Sequence, residues 1–435
     1  MRDLVRRVAA RTPSGRDRGI DGLRALAILG VVLGHWLVTA AVVDSGTVRV
    51  TSPLRHMPWL APASWIFQTM AVFFLVGGWT AAGSHAAARA RGRSYGEWLG
   101  GRMARLFRPV VTVVVVWGVV AVAMLAAGAD AGTVRALAKL VWSPLWFLLV
   151  FAGLTAATPL AVRLRPGWPL AVVALADLGR FALGGPAWIG WVNVAAGWLV
   201  PYCLGASWAR GGRESTGGRP AGWGLLAGGA AVTAALVLWA GYPASMVGVP
   251  GAPVSNQSPL TLAAVTFGLA QCGAALLLLG PLRRALRRPA VWAVVALANL
   301  SAMTVFLWHQ TAMIAVTGLG TLAGRPLTGL HTVPLGADWL LARLAWLPVF
   351  GLVLLACLAA FRSAEGRLSD GRSGEGRVGD GGSAEDRVAG QVEGGQDGAL
   401  EHRVARHGAG RGEEGTREGS RGPGQDRAPR VSGRR

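Results

Sequence analysis

The chain has 435 residues, 52% of them hydrophobic and only 15% charged, with a mean hydropathy of +0.43. These values exclude an ordinary soluble domain and describe a polytopic membrane protein. A formal charge of +21 would suit nucleic acid, but the arginines lie between apolar stretches and in the tail, where membrane topology puts them; the expected partner is the lipid bilayer, not nucleic acid.

In chain order, ten spans are expected, at 21–41, 62–83, 109–128, 141–161, 168–186, 188–208, 221–241, 259–280, 291–318 and 338–361. Each approaches the ~20 apolar residues needed to cross, and each must be a helix, because lipid offers backbone groups no hydrogen-bond partner. The fold class is therefore all-α, a polytopic transmembrane bundle in the cell membrane. Arginines crowd the N-terminal segment and every second loop, at 89–108, 163–165, 210–219 and 283–288, while the alternate loops hold few. Cytoplasmic loops are the basic ones, so both termini are expected in the cytoplasm. Residues 1–17 read as a basic cytoplasmic segment and 18–361 as the membrane domain. Residues 362–435 contain no aromatic and read as a disordered, charged cytoplasmic tail.

The first span carries Asp21, Arg24 and His35. At ~100° per residue Arg24 and His35 share a face, with ~16 Å of rise between them, about half of a ~30 Å hydrocarbon core. An imidazole at that depth is a functional candidate by default. Asp21, one turn before Arg24, is the expected partner of that arginine. Arg24 also reads as a snorkelling interfacial anchor.

The loop after the second span ends in Arg102-Met-Ala-Arg105 and Arg108-Pro109. On a helix these arginines repeat at i, i+3 and i+6 and make a phosphate-sized positive patch, since the planar guanidinium donates to phosphate in pairs. A purely topogenic basic loop has the same appearance. The fifth span is interrupted by Asp177 and Arg180, which at i, i+3 can pair with each other. Asn193 and Gln271 read as amides that tie helices together. The ninth span holds Asn299, Ser301, Thr304, His309 and Gln310, and His309 is a second imidazole at membrane depth. Many of the 19 tryptophans sit at span ends, as in an interfacial belt. Three scattered cysteines make neither a disulfide framework nor a zinc site, and no metal is expected.

Five of these stretches, in order, resemble the integral-membrane acyltransferase-3 family, whose members O-acylate sugars and related hydroxyl compounds. Ile20-Asp-Gly-Leu-Arg-Ala-Leu-Ala27 followed by His35 is similar to its Arg-x10-His signature, and Arg102-x-x-Arg105 to its cytoplasmic arginine motif. Phe73-Phe-Leu-Val-Gly-Gly78 resembles a Phe-Phe-x-x-Ser-Gly pattern, with Gly77 replacing the usual Ser. Leu145-Trp-Phe-Leu148 and Phe306-Leu-Trp-His309 resemble its later motifs. The resemblance covers residues 18–361. It implies an acyl-CoA donor, usually acetyl-CoA, entering from the cytoplasm, and a carbohydrate or glycoside acceptor, on the cell envelope or on a natural product. On that reading Arg24, Arg102, Arg105 and Arg108 hold the donor phosphates and His35 is the general base. An imidazole, titrating ordinarily near ~6.5, suits that task. Asp21 is then expected to orient Arg24, and Asp177 or His309 to orient His35 from another helix. The competing expectation is a transporter or flippase of a glycan or lipid intermediate, which intramembrane charges also suit.

Overall fold

A computed structural model describes residues 2–10, 12–13, 15–44, 46–211 and 218–375. Helix α1 (Arg2–Ala10) leads to α2 (Arg18–Val38), whose start is capped by the Asp17 carboxylate accepting from the Gly19 amide. The same carboxylate pairs with Arg283 at 2.6 Å. Burial alone would raise the Asp17 carboxyl, but the Arg283 guanidinium and the amides of Gly19 and Ile20 outweigh it and hold the group below its ordinary value.

A hairpin follows, with β1 (Ala40–Asp44) antiparallel to β2 (Thr47–Thr51). Short turns lead to α3 (Met70–Ala90) and α4 (Tyr95–Ala126), the latter opened by a capping box between Ser94 and Glu97. Then come α5 (Ala131–Trp142), α6 (Leu145–Ala156), α7 (Gly167–Asp177), α8 (Val192–Arg210), α9 (Gly218–Trp239), α10 (Leu262–Ala285), α11 (Pro289–Leu300), α12 (Ala302–Gly320) and α13 (Ala337–Glu375). Among the described residues nine helical segments, from Arg18–Val38 to Ala337–Phe361, are long and apolar enough to cross a membrane. The chain is a polytopic helical bundle.

Its centre is the crossing of α3 and α8, whose backbones touch. A Cβ on Gly78 would collide with the carbonyl of Tyr202, and one on Gly205 with the carbonyl of Leu75. Small residues allow this approach, and dispersion rather than water drives it, since lipid tails are as apolar as the helices. Beside the crossing Phe73, Phe74, Phe147, Phe151 and Trp198 form an aromatic cluster, with Trp198 stacked on Phe74 at 4.7 Å. Position 77 faces the Phe151 ring, so any side chain there would displace it, which accounts for Gly77 in a pattern that usually holds Ser. Helix α2 packs on α3, α10, α11 and α12.

The second expected span lies later, at Met70–Ala90, and the third starts earlier, at Tyr95, so that Arg102, Arg105 and Arg108 are on its helix; four other spans change more. The first ends at Val38, because Thr39 turns to extended backbone and the chain enters the hairpin. The fourth is divided at Ser143-Pro144, where proline cannot continue the preceding helix. Helix α5, with Arg135 and Lys139 exposed, packs on β2, and its Thr133 hydroxyl accepts from the Val48 amide. The fifth span is α7 followed by a π-turn over Leu178–Ala182. At 1.5 Å per residue the two together cover about 24 Å, short of a ~30 Å core. This segment still traverses the bundle, starting just after Arg163 and Arg165 and ending with Asp177 bonded to the first amide of α10. The ninth span is split at Ser301: α11 packs on α1 and α2, and α12 is the part long enough to cross. Residues 362–375, expected to begin the tail, continue the backbone of α13, and 376–435 lie outside the described residues.

Candidate active site

His35 stands near the end of α2, on the wall of a cavity of about 710 Å³. The hairpin flank (Thr51, Ser52), the turn at Phe67–Gln68, the start of α6 (Trp146, Phe147), the loop before α10 (Ser255, Gln257) and α12 (Phe306, Gln310) complete it. These elements lie at the end of the bundle away from the arginine-rich loops. Three hydrogen bonds set the rotation of α2 that aims His35 into the cavity. Trp36 Nε1 donates to the His309 carbonyl at 2.9 Å, and the buried Arg343 of α13 donates to the carbonyls of Trp36 and Thr39, each at 2.7 Å. A further Arg343 bond to the Gly329 carbonyl, at 2.8 Å, ties in the loop before α13. The guanidinium therefore sits at the carbonyl-rich end of α2, where the helix dipole favours a cation.

His35 Nδ1 is 3.2 Å from Gln310 Nε2, and its ring centroid is 5.1 Å from that of His309. His309 is buried, with Nδ1 2.6 Å from the Phe306 carbonyl. Its Nε2 has no partner among the described residues, and the same is true of the side-chain oxygens of Gln310 and Gln68, two residues of the cavity wall. Gln257 is a third amide side chain of the same wall.

The arginine-rich end carries the other expected groups. Arg102 donates to Ser84 Oγ at 2.6 Å and lies 5.6 Å over the Trp98 ring, with Arg24 and Arg105 near enough to repel it. Among the described residues Arg102 forms no ion pair with a carboxylate. Arg24 is half-buried, 3.9 Å from Asp21. Arg105 and Arg108 are exposed, and Arg105 Nε donates to the Gly101 carbonyl. None of these four arginines lines the cavity beside His35.

One expected partnership is shared and another is replaced. Asp21 keeps the ion pair with Arg24 at 3.9 Å, and makes its shorter contacts with Arg16, a two-pronged pair at 2.6 and 3.1 Å that anchors the N-terminal segment. Asp177 forms no ion pair with Arg180 and makes its bonds away from His35. It accepts from Asn193 Nδ2, from the Tyr242 hydroxyl and from the Leu262 amide. The N-terminus of α10 and these neutral donors satisfy the carboxylate, and burial together with Asp177 pushes the Tyr242 hydroxyl above its ordinary value. Arg180 lies instead over the Phe181 ring at 4.6 Å. The group that meets His35 Nδ1 is Gln310, read from the sequence only as a neighbour of His309. Arg343 went unread, although it is the single arginine inside the last expected span, and a charge at membrane depth is a signal in itself.

No curated protein and no solved structure matches the chain. The family described as Acyltransferase domain matches residues 17–362, about four-fifths of the sequence. The matched region takes in α2 with His35, the arginines of α4, the cavity wall and α13 with Arg343, and the chain accordingly belongs to the acyltransferase-3 family, as a multi-pass membrane acyltransferase.

Proposed function

We propose that the protein moves an acyl group, acetyl in the simplest case, from an acyl-coenzyme A to a hydroxyl of a carbohydrate or glycoside at the cell membrane, with His35 as general base. The observation that carries this reading is the placement of His35 on the wall of a cavity that also holds the side chains of Gln68, Gln257 and Gln310, at the opposite end of the bundle from the arginines of α4. An acceptor with several hydroxyls can donate one to His35 while the wall amides of Gln68 and Gln257 bond others, and Trp146 and Phe306 offer apolar ring faces to its carbons.

Gln310 sets the tautomer of His35. The two ends of an amide have nearly the same shape, and with its oxygen toward Nδ1 it accepts from Nδ1–H. The lone pair of Nε2 is then left for the acceptor proton. His35 takes that proton as the acceptor oxygen attacks, and later delivers it to the departing sulfur. The donor supplies a thioester, whose carbonyl carbon bonds the acceptor oxygen while its C–S bond breaks. Arg24 and Arg102 hold the donor phosphates, with Arg105 and Arg108 drawing them in from solvent. This puts the arginine-rich end in the cytoplasm, in keeping with the bias of basic loops.

A deletion strain complemented with wild type or with His35→Ala tests the proposal, by mass spectrometry of envelope glycans and secreted glycosides. Wild type is expected to restore an acyl-bearing product. His35→Ala, at equal protein level in the membrane, is expected to lower transfer by ~10²–10⁴-fold. Transfer by the variant at the wild-type rate refutes the role of His35.

A further inference from the structure

A second concave feature lies at the arginine-rich end, a cleft of about 220 Å³ between the end of α3, the turn that follows Thr158–Ala161, and the end of α8. It adjoins the place where Arg102 is held, since His85 of the cleft packs edge-on at 4.9 Å against Trp98, the ring over which Arg102 lies. On α3 the cleft is faced by Ala82, His85, Ala86 and Arg89. At ~100° per residue these positions are turned by about 100–200° from Ser84, the residue that accepts from Arg102.

Three arginines border this cleft from three stretches of chain, Arg89, Arg163 and Arg210. All three are exposed, and among the described residues none forms an ion pair with a carboxylate. Like charges gathered round one concavity repel each other. An anion shared between them reverses the sign of that interaction. Guanidinium forks match the oxygens of a phosphate in particular. Apart from His85 the remainder of the wall is apolar, with Pro159, Val162 and Ala209 beside the alanines of α3, and suits the carbons of an ester rather than a free ion. The volume suits a phosphate with a few carbon atoms; ligand pockets for larger molecules run to ~300–1,000 Å³. The cleft also sits at the ends of two membrane-crossing segments, where lipid headgroups lie, and basic pockets between such helices attract anionic headgroups.

We propose that this cleft binds the phosphate of an anionic phospholipid in the leaflet at the arginine-rich end, and that the lipid staples the ends of α3 and α8 to the turn carrying Arg163. The site stands independently of the acyl-transfer reading. Native mass spectrometry of the full-length protein tests it, with dioleoylphosphatidylglycerol as the probe and dioleoylphosphatidylcholine as the zwitterionic control. Wild type is expected to retain phosphatidylglycerol in preference to phosphatidylcholine. Arg163→Gln and Arg210→Gln are each expected to lower retention by about fivefold. Arg135→Gln, an exposed change on α5, is expected to leave it unchanged. Equal retention by wild type and the Arg163→Gln/Arg210→Gln double variant overturns the proposal. Displacement of the lipid by coenzyme A also overturns it, because the cleft would then belong to the donor. A second readout covers a double variant that fails to fold: phosphatidylglycerol should raise the melting temperature of wild type more than that of either single variant, and equal shifts refute the site.

Discussion

On the proposed role of His35 as base, the chemistry turns on which ring nitrogen carries the proton, and the side chain within reach of Nδ1 is Gln310. Replacing Gln310 by Glu puts a carboxylate against Nδ1–H and stabilises the imidazolium, so the rising limb of the rate–pH profile is expected to move to higher pH. Gln310→Ala removes the constraint and is expected to slow transfer by about 10–100-fold without moving protein level, the scale seen when an orienting partner is lost elsewhere. An unchanged pH profile in Gln310→Glu argues against this role. Arg343 acts one layer further out, through the backbone of α2. Arg343→Met leaves the carbonyls of Trp36, Thr39 and Gly329 unpaired in an apolar setting, and a loss of at least ~2 kcal/mol is expected, read as a lower melting temperature in detergent. Arg343→Lys keeps the charge but not the fork, and should recover only part of the loss.

Among the elements, the α3–α8 crossing positions both functional ends of the molecule. Its upper flank carries the aromatic cluster, of which Phe147 lines the cavity, and its lower flank carries Ser84, which holds Arg102. Gly205→Val forces the two backbones apart. The expected cost is about 1–3 kcal/mol, with a change in tryptophan fluorescence as Trp198 loses its stack on Phe74. The departures from regular helix have local causes. The hairpin closes the side of the cavity because the backbone turns extended at Thr39, and α7 widens into a π-turn directly after Asp177, whose carboxylate accepts from the first amide of α10. Apolar length alone showed the existence of these segments. It did not show their ends, which depend on where a polar side chain finds a partner in another helix.

Taken whole, the molecule separates Arg24, Arg102, Arg105 and Arg108 from its cavity, and the buried cation beside the cavity, Arg343, is taken up by backbone carbonyls. The phosphate-binding candidates lie at one end and His35 with the amides of Gln68 and Gln310 face the other. The two ends are expected to respond separately. Arg102→Gln should raise KM for the acyl donor by about tenfold, as for a lost hydrogen bond to a charged group, with KM for the acceptor little changed. Gln68→Leu should do the reverse. If either variant moves both constants equally, the division of labour fails. Family membership decides for acyl transfer over transport, a choice that intramembrane charges by themselves left open.

The membrane class and the helical architecture were legible in the residues, because lipid imposes a length and a hydropathy on every crossing, and the helical repeat puts Arg24 and His35 on one face. Those are rules of local chain geometry, and they act within a few turns. Which side chains become partners was decided only by the tertiary structure. Asp21 meets Arg16, Asp177 meets α10, Gln310 meets His35 and Arg343 meets Trp36, the last across 307 positions of sequence. A buried polar group in an apolar bundle takes the partner that packing brings within ~3 Å, and spacing along one helix leaves several candidates for that partner.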